Sequence, residues 1–349
     1  MTNEQTVEYI EKSFLSSLLK DPEITDISYN GQFIYYMHNN FGRKKANIIV
    51  DLSTVKDFLR QIANTTERQF SYQTPYLDVS LGKYRINAVH QSIGRKHNKE
   101  ALTFSIRIGS SKNHISNDGE FMPVQVHKLL EIVIKSKISI VLGGLTGTGK
   151  TELQKYIFNM MEPSTRIIII DNILELSNIE NDQELDVSIW QVDEKNKESN
   201  TQQLVKNALR SNPDWLVVAE SRGNEMIEVL NSAMTGHPII TTLHALSASS
   251  IPNRMGRMVM MNDKKMDLEN VMADIYYHFR LFIYLKRIIT KDGTVKRFVS
   301  EIVQIQEDGT MCEIYKKGPV IDKYRPLSKS FLDMLPSSLQ KELPKEFVK

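Results

Sequence analysis

Gly143-Gly144-Leu145-Thr146-Gly147-Thr148-Gly149-Lys150-Thr151 is the stretch of this chain whose residue types and spacing point most directly to chemistry. Gly144 and Gly149-Lys150-Thr151 fit the phosphate-binding pattern G-x-x-x-x-G-K-[ST]. Glycines at 144, 147 and 149 let the main chain take unusual dihedrals, so that successive N–H groups turn inward on phosphate oxygens at the positive end of the following helix. Lys150 is the type of residue that neutralises β- and γ-phosphates, and the Thr151 hydroxyl the type that ligates Mg²⁺. The nucleotide-contacting set expected here runs Gly144, Leu145, Thr146, Gly147, Thr148, Gly149, Lys150, Thr151 and Glu152. Glu152 adds negative charge beside the metal ligand, and at a first helical turn it also suits the helix dipole.

Further ionisable groups close apolar runs. Trp215-Leu216-Val217-Val218-Ala219 ends in Glu220, and an acid at the end of a buried strand holds a magnesium-bound water or orients the attacking one. Glu220 and Thr151 are therefore the expected metal ligands. Thr165 to Ile170 ends in Asp171, with Glu175 shortly after; either carboxylate could act as a general base or merely cap a helix. Ile239 to Leu243 ends in His244, a residue able to sense a γ-phosphate through a hydrogen bond, whereas His237 before the strand reads as a turn residue. Arg210 and Arg222 complete the catalytic candidates, because phosphoryl transfer spreads negative charge that an arginine from a neighbouring subunit can stabilise.

The elements that must position these groups can be read from periodicity. Ile138 to Leu142 reads as a buried strand before the phosphate loop, and Glu152 to Phe158 as a helix after it. From Pro123 onward strands and helices alternate, which predicts an α/β fold with a parallel sheet covered by helices. Ligands in such sheets bind at the carboxyl ends of the strands, so Asp171, Glu220 and His244 should converge on the loop. Residues 1–109 read as a small α+β domain: Val7, Ile10, Phe14 and Leu18 predict one amphipathic helix, and Asn30-Gly31 between Ile27-Ser28-Tyr29 and Phe33 to Met37 predicts a tight hairpin. Residues 110–122 are polar and aperiodic, the signature of a flexible linker, and 123–335 form the larger domain. Asp292-Gly293 and Asp308-Gly309 predict small rim hairpins, and 336–349 read as a charged, mobile tail.

Composition narrows the classes. The 349 residues are 41% hydrophobic and 25% charged with a net charge of +2, which disfavours wholesale disorder and gives no long-range attraction to nucleic acid. No apolar run is long enough to cross a bilayer, so membrane contact is expected to be peripheral. The single cysteine, Cys312, excludes an internal disulfide or a multi-cysteine zinc site.

Taken in order, the phosphate loop, the acidic run Ile170-Asp171-Asn172-Ile173-Leu174-Glu175-Leu176, Ala208 to Asp214, Ala219-Glu220-Ser221-Arg222-Gly223-Asn224-Glu225, Thr235-Gly236-His237-Pro238 and Thr242-Leu243-His244-Ala245 resemble the secretion ATPase superfamily of type II and type IV secretion, conjugation and pilus assembly. The resemblance implies a RecA-like P-loop core preceded by a small PAS-like α+β domain that covers the nucleotide, with Arg85 and Arg107 leaning onto the phosphates. It implies ATP and Mg²⁺ as cofactors, a homohexamer, inner-membrane secretion or pilus platform components and a coupling protein as partners, and a cytoplasmic location at the inner face of the membrane. Sequence-specific nucleic-acid binding is not expected. One cysteine is too few for the four-cysteine zinc insertion of the type II secretion and many pilus assembly members, and the compact first domain and the missing long extension look more like the conjugation and type IV secretion branch, with tight-adherence pili next. Two departures stand out: Asp171-Asn172 where the family usually has Glu-Asp, and Ala219 where it usually has glycine. They admit a nucleotide-gated scaffold with weak hydrolysis, and the shared core admits a DNA translocase or helicase. Guanine specificity is disfavoured, because Asn196-Lys197-Glu198-Ser199 lacks the aspartate of that motif.

Overall fold

Apolar residues alternate with polar ones along the N-terminal strands, and the result is a sheet with one buried face. The computed structural model describes residues 2–109, 115, 119–172, 174–176, 184–193, 196–261, 266–306 and 308–348. The chain divides into two units, Met1–Ser111 with Ile173–Glu175 and Ile288–Lys296, and Lys112–Asn172 with Leu176–Arg287 and Arg297–Lys349. Of the polar stretch 110–122, residues 110–114 and 116–118 lie outside the described residues.

The first unit contains α1 (Asn3–Glu11), α2 (Ser16–Leu19), β1 (Ile24–Tyr29), β2 (Ile34–His38), β3 (Gly42–Lys45), α3 (Leu52–Thr65), β4 (Tyr76–Leu81) and β5 (Tyr84–Val89). The short β6 (Arg95–Lys96) and β7 (Lys99–Glu100) precede β8 (Thr103–Ile108). Six strands form an antiparallel sheet in the order β3-β2-β1-β8-β5-β4. Its buried face, with Ile27, Ile86, Phe104 and Ile106, packs with Ile10 of α1 and with Val55, Phe58, Leu59 and Ile62 of α3. The single helix read from Val7 to Leu18 is broken in two. Ser13 Oγ donates to the Ile10 carbonyl at 2.7 Å and accepts from Leu15 N–H at 3.2 Å, diverting the helical ladder. The tight Asn30-Gly31 turn is a longer connection: Gly31 alone takes a positive φ, +89°, while the Asn30 side chain accepts from Gln32 and Phe33 N–H.

The second unit begins with α4 (Val124–Lys135), β9 (Ile140–Gly144), α5 (Lys150–Phe158), β10 (Arg166–Asp171), β11 (Asp186–Gln191) and α6 (Thr201–Ala208). It continues with β12 (Trp215–Val218), α7 (Met226–Met234), β13 (Ile239–Leu243), α8 (Ile251–Val259) and α9 (Leu268–His278). Strands β14 (Leu281–Ile289), β15 (Val295–Ile305), β16 (Met311–Lys316) and β17 (Lys323–Tyr324) follow, then α10 (Lys329–Leu332) and α11 (Ser337–Gln340). The nine-stranded sheet has the order β11-β10-β12-β13-β9-β14-β15-β16-β17 and is parallel from β11 to β14.

Successive residues of the parallel strands enter two separate cores. Ile140, Leu142, Ile167, Ile169, Trp215 and Val217 pack with α4 and α5. Val141, Ile168, Ile170, Leu216 and Val218 pack with residues of α6 to α9. The core is therefore α/β, with a mostly parallel sheet covered by helices on both faces, which is why its strands read as continuous apolar runs. Three details depart from the sequence reading. The Asp-Gly turns do not make detached rim hairpins: Leu281 to Leu285 are all buried and β14 pairs with β9, so the hairpins extend the main sheet. Phe121 and Met122, read as linker, belong to the core, and Val299 N–H donates to the Phe121 carbonyl at 2.8 Å. The segment after Pro336, read as mobile, buries Leu343 and wholly buries Phe347 in the same core.

Candidate functional site

Strand β9 delivers the loop. A β-carbon on Gly144 would stand 2.5 Å from Thr148 Oγ1 and 2.9 Å from the Leu285 carbonyl, so glycine is required there by close approach rather than by its dihedral. The unusual dihedrals belong to Gly147, φ +74°, and Gly149, φ +95°, and Gly149 caps α5 at its N-terminus. Thr148 Oγ1 donates to the Leu145 carbonyl at 2.9 Å. Lys150 Nζ donates to the carbonyls of Gly144 at 3.1 Å and Leu145 at 3.2 Å, so its charge sits at the mouth of the loop. Thr151 occupies the first turn of α5, half-buried. Glu152 faces Lys155, which is only 5% exposed, at 3.2 Å and so balances a buried ammonium.

Strands β12 and β13 bring Glu220 and His244 together. His244 Nε2 lies 3.0 Å from Glu220 Oε1, and His244 Nδ1 lies 3.2 Å from the Gly144 carbonyl. Arg222 Nη2 donates to Glu220 Oε2 at 2.6 Å. Burial is the largest influence on the Glu220 carboxyl and pushes it up. The Arg222 hydrogen bond and the charges of Arg222, His244 and Lys150 outweigh it and hold the group below its ordinary range. Glu220 Oε1, although close to His244, is buried without a hydrogen-bond partner.

Asp171, in the same unit, is not gathered there. Strand β10 is separated from β9 by β12 and β13, so Asp171 stands about 14 Å along the sheet from the loop strand. Asp171 is 2% exposed, and its Oδ2 accepts from Leu176 N–H at 3.0 Å. Glu175 belongs to the first unit, where its Oε1 lies 2.8 Å from Arg107 Nε. Arg85 donates to Asp78 at 3.3–3.4 Å, across β4 and β5. Arg210, in a 3-10 turn after α6, is exposed and in no ion pair among the described residues. Two residues at the loop were missed. Arg297 Nε donates to the Gly147 carbonyl at 2.8 Å, and Arg287 Nη1 lies 3.5 Å from where a Gly147 β-carbon would stand. They are far from the loop in sequence and belong to no phosphate-binding pattern, so only strand pairing could reveal them.

The donor set fits a magnesium triphosphate. The loop presents an ammonium and the start of a helix to an anion, and Thr151 and the orphaned Glu220 oxygen are hard oxygen donors of the kind Mg²⁺ takes.

A family model described as Type II/IV secretion system protein matches residues 98–283. An uncharacterized protein of Bacillus anthracis is 28% identical over 358 residues, covering 97% of this chain and 79% of that protein. The type IV secretion system protein VirB11 of Bartonella quintana is 24% identical over 295 residues, covering 73% of this chain and 82% of that protein. Among solved structures, the ATPase DotB of Legionella pneumophila superposes with a TM-score of 0.59 at 20% identity, covering 88% of this chain and 82% of that one.

Proposed function

Because the chain belongs to the Type II/IV secretion system protein family, whose RecA-like core it shares, we propose that it hydrolyses ATP to drive secretion, conjugative transfer or pilus assembly. The observation that carries this reading is the meeting of Lys150 and His244 at the Gly144 carbonyl, with Glu220 against His244, at the carboxyl ends of neighbouring strands. Thr151 and Glu220 would hold Mg²⁺, which supplies charge neutralisation for the phosphates. Lys150 leaves its loop carbonyls for the phosphate oxygens, and the ionised Glu220 accepts from and orients the attacking water. His244, resting between Glu220 and the loop, reports to the carboxylate whether the loop is filled. Arg222 steadies Glu220 within its own chain, which leaves Arg210 as the arginine to be offered to a neighbouring subunit of a homohexamer.

The assembly proposed is a motor at the inner face of the cell membrane, working with platform components and a coupling protein; its support is that relatives are described as a type IV secretion system protein and a conjugal transfer protein. Among the described residues no helix is long and apolar enough to cross a membrane, so peripheral attachment is the form proposed. In a phosphate-release assay with Mg-ATP, Lys150→Ala should abolish turnover while thermal melting stays unchanged. Undiminished turnover would remove the assigned site. A second reading, an ATP-gated scaffold that hardly hydrolyses, is favoured by one observation: the Asp171 carboxylate is buried and caps the Leu176 N–H rather than facing the loop. ATP binding by the wild type without sustained phosphate release would select it.

A further inference from the structure

We infer that Arg287 and Arg297 clamp the phosphate loop from strands β14 and β15 of the same chain, Arg297 positioning the loop at Gly147 and Arg287 supplying a second cation to the bound phosphates. This rests on the ATP-binding reading above. Arg297 Nε holds the Gly147 carbonyl at 2.8 Å, and its Cδ stands 3.8 Å from the place a Gly149 β-carbon would take. The side chain thus lies across the loop between its two positive-φ residues.

The loop needs such a hold. Leu145, Thr146 and Gly147 are exposed, and a positive-φ glycine has the largest conformational entropy to lose. On the inner side the loop is tied by Thr148 Oγ1 and Lys150 Nζ, both on the Leu145 carbonyl. When phosphate draws Lys150 away, one of those ties is lost. The Arg297 bond to Gly147 is made by another element and does not compete with the phosphate for Lys150, so it preserves the loop's shape at the moment of binding.

Arg287 has a different signature. Its Nη1 reaches the loop at Gly147, and its Nε is buried without a hydrogen-bond partner. An unpaired buried donor is unfavourable, and a guanidinium at the loop that Lys150 and Arg297 also contact adds to its positive charge. A polyphosphate relieves both, since guanidinium–phosphate hydrogen bonds are charge-assisted and often bidentate. Arg287 is assigned to the nucleotide and Arg297 to the loop.

The test uses the full chain and three variants, Arg297→Gln, Arg297→Lys and Arg287→Gln, with thermal melting to verify folding. Amide hydrogen exchange of the 145–149 segment without nucleotide, and titration with fluorescent ADP and ATP analogues in Mg²⁺, are the readouts. Arg297→Gln should accelerate exchange in the loop and raise KM more than it lowers kcat, and Arg297→Lys should restore part of both. Arg287→Gln should leave exchange unchanged and weaken binding of both nucleotides about tenfold, the loss of one charge-assisted bond. Unaltered loop exchange in Arg297→Gln would overturn the positioning role, and in a variant that fails to fold, Arg297→Lys is judged by the same measure. Unaltered affinity in Arg287→Gln would overturn the nucleotide contact. Failure of the wild type to bind either analogue would instead defeat the ATP reading and with it the Arg287 assignment, while loop exchange still decides Arg297.

Discussion

Along β8, Thr103, Ser105 and Arg107 keep solvent exposure while Phe104 and Ile106 are buried; along β12, Trp215, Leu216, Val217 and Val218 are all buried. The first pattern belongs to a sheet with one covered face, the second to a sheet packed between two cores. The difference decides where polar groups can go. In the N-terminal sheet they spread over a whole face, where Arg85 stands directly opposite Arg107 and the repulsion is offset by Asp78 and Glu175. In the fully buried strands β12 and β13 no ionisable side chain lies within the strand, and Glu220 and His244 stand just beyond their ends. Covering both faces concentrates the chemistry on one edge.

The comparison can be broken by placing one charge in each sheet. Val217→Asp would put a carboxylate into a fully buried strand position with no partner, a loss on the order of 4 kcal/mol or more, read as collapse of the melting transition. Ser105→Asp, on the exposed face of β8, should leave melting almost unchanged. Equal effects would show that the two sheets are not covered differently.

At the strand ends, Glu220→Gln tests chemistry without changing shape. Turnover should fall by about 100-fold or more while binding of ATP analogues persists, since water orientation by a carboxylate is lost and the phosphate contacts are not. Next in size is an acid-stability effect. The folded Glu220 carboxyl lies below its ordinary 4.5, so its ionised form adds stability that is fully present above that value and is lost as pH falls through the lower folded value. The melting difference between wild type and Glu220→Gln should therefore be constant near neutrality and shrink below about pH 4.5. A difference that grows on acidification would contradict the pairing with Arg222 and His244. The smallest effect is expected from Ser105→Ala, within about 0.5 kcal/mol in chemical denaturation.

Much of this was legible in residue order. The phosphate loop, the apolar runs ending in Glu220 and His244, and the alternation of strand and helix are local patterns, and local patterns report local structure. Helix continuity through Ser13 was misread because a side-chain hydrogen bond to the Ile10 carbonyl competes with the helical ladder, which periodicity does not register. Phe121 and Phe347 were misread because isolated aromatics in polar stretches show no period, yet they pack into the core of the second unit. Asp171 was expected at the loop because it too ends a strand; strand order, which no window of sequence contains, sets it apart by two intervening strands.

Sequence alone determined that this chain has a glycine-rich loop between strand and helix, a lysine and a threonine at the start of that helix, and buried strands with ionisable ends, because each depends on residues adjacent in the chain. Tertiary structure alone decided which of those ends face one another. Parallel pairing of β13 and β14 with β9 places Leu285 against Gly144, while His244 and Arg297 reach the loop carbonyls across long stretches of chain. Such contacts are selected by the packing of whole sheets, where a one-residue change of register would turn every side chain to the opposite face.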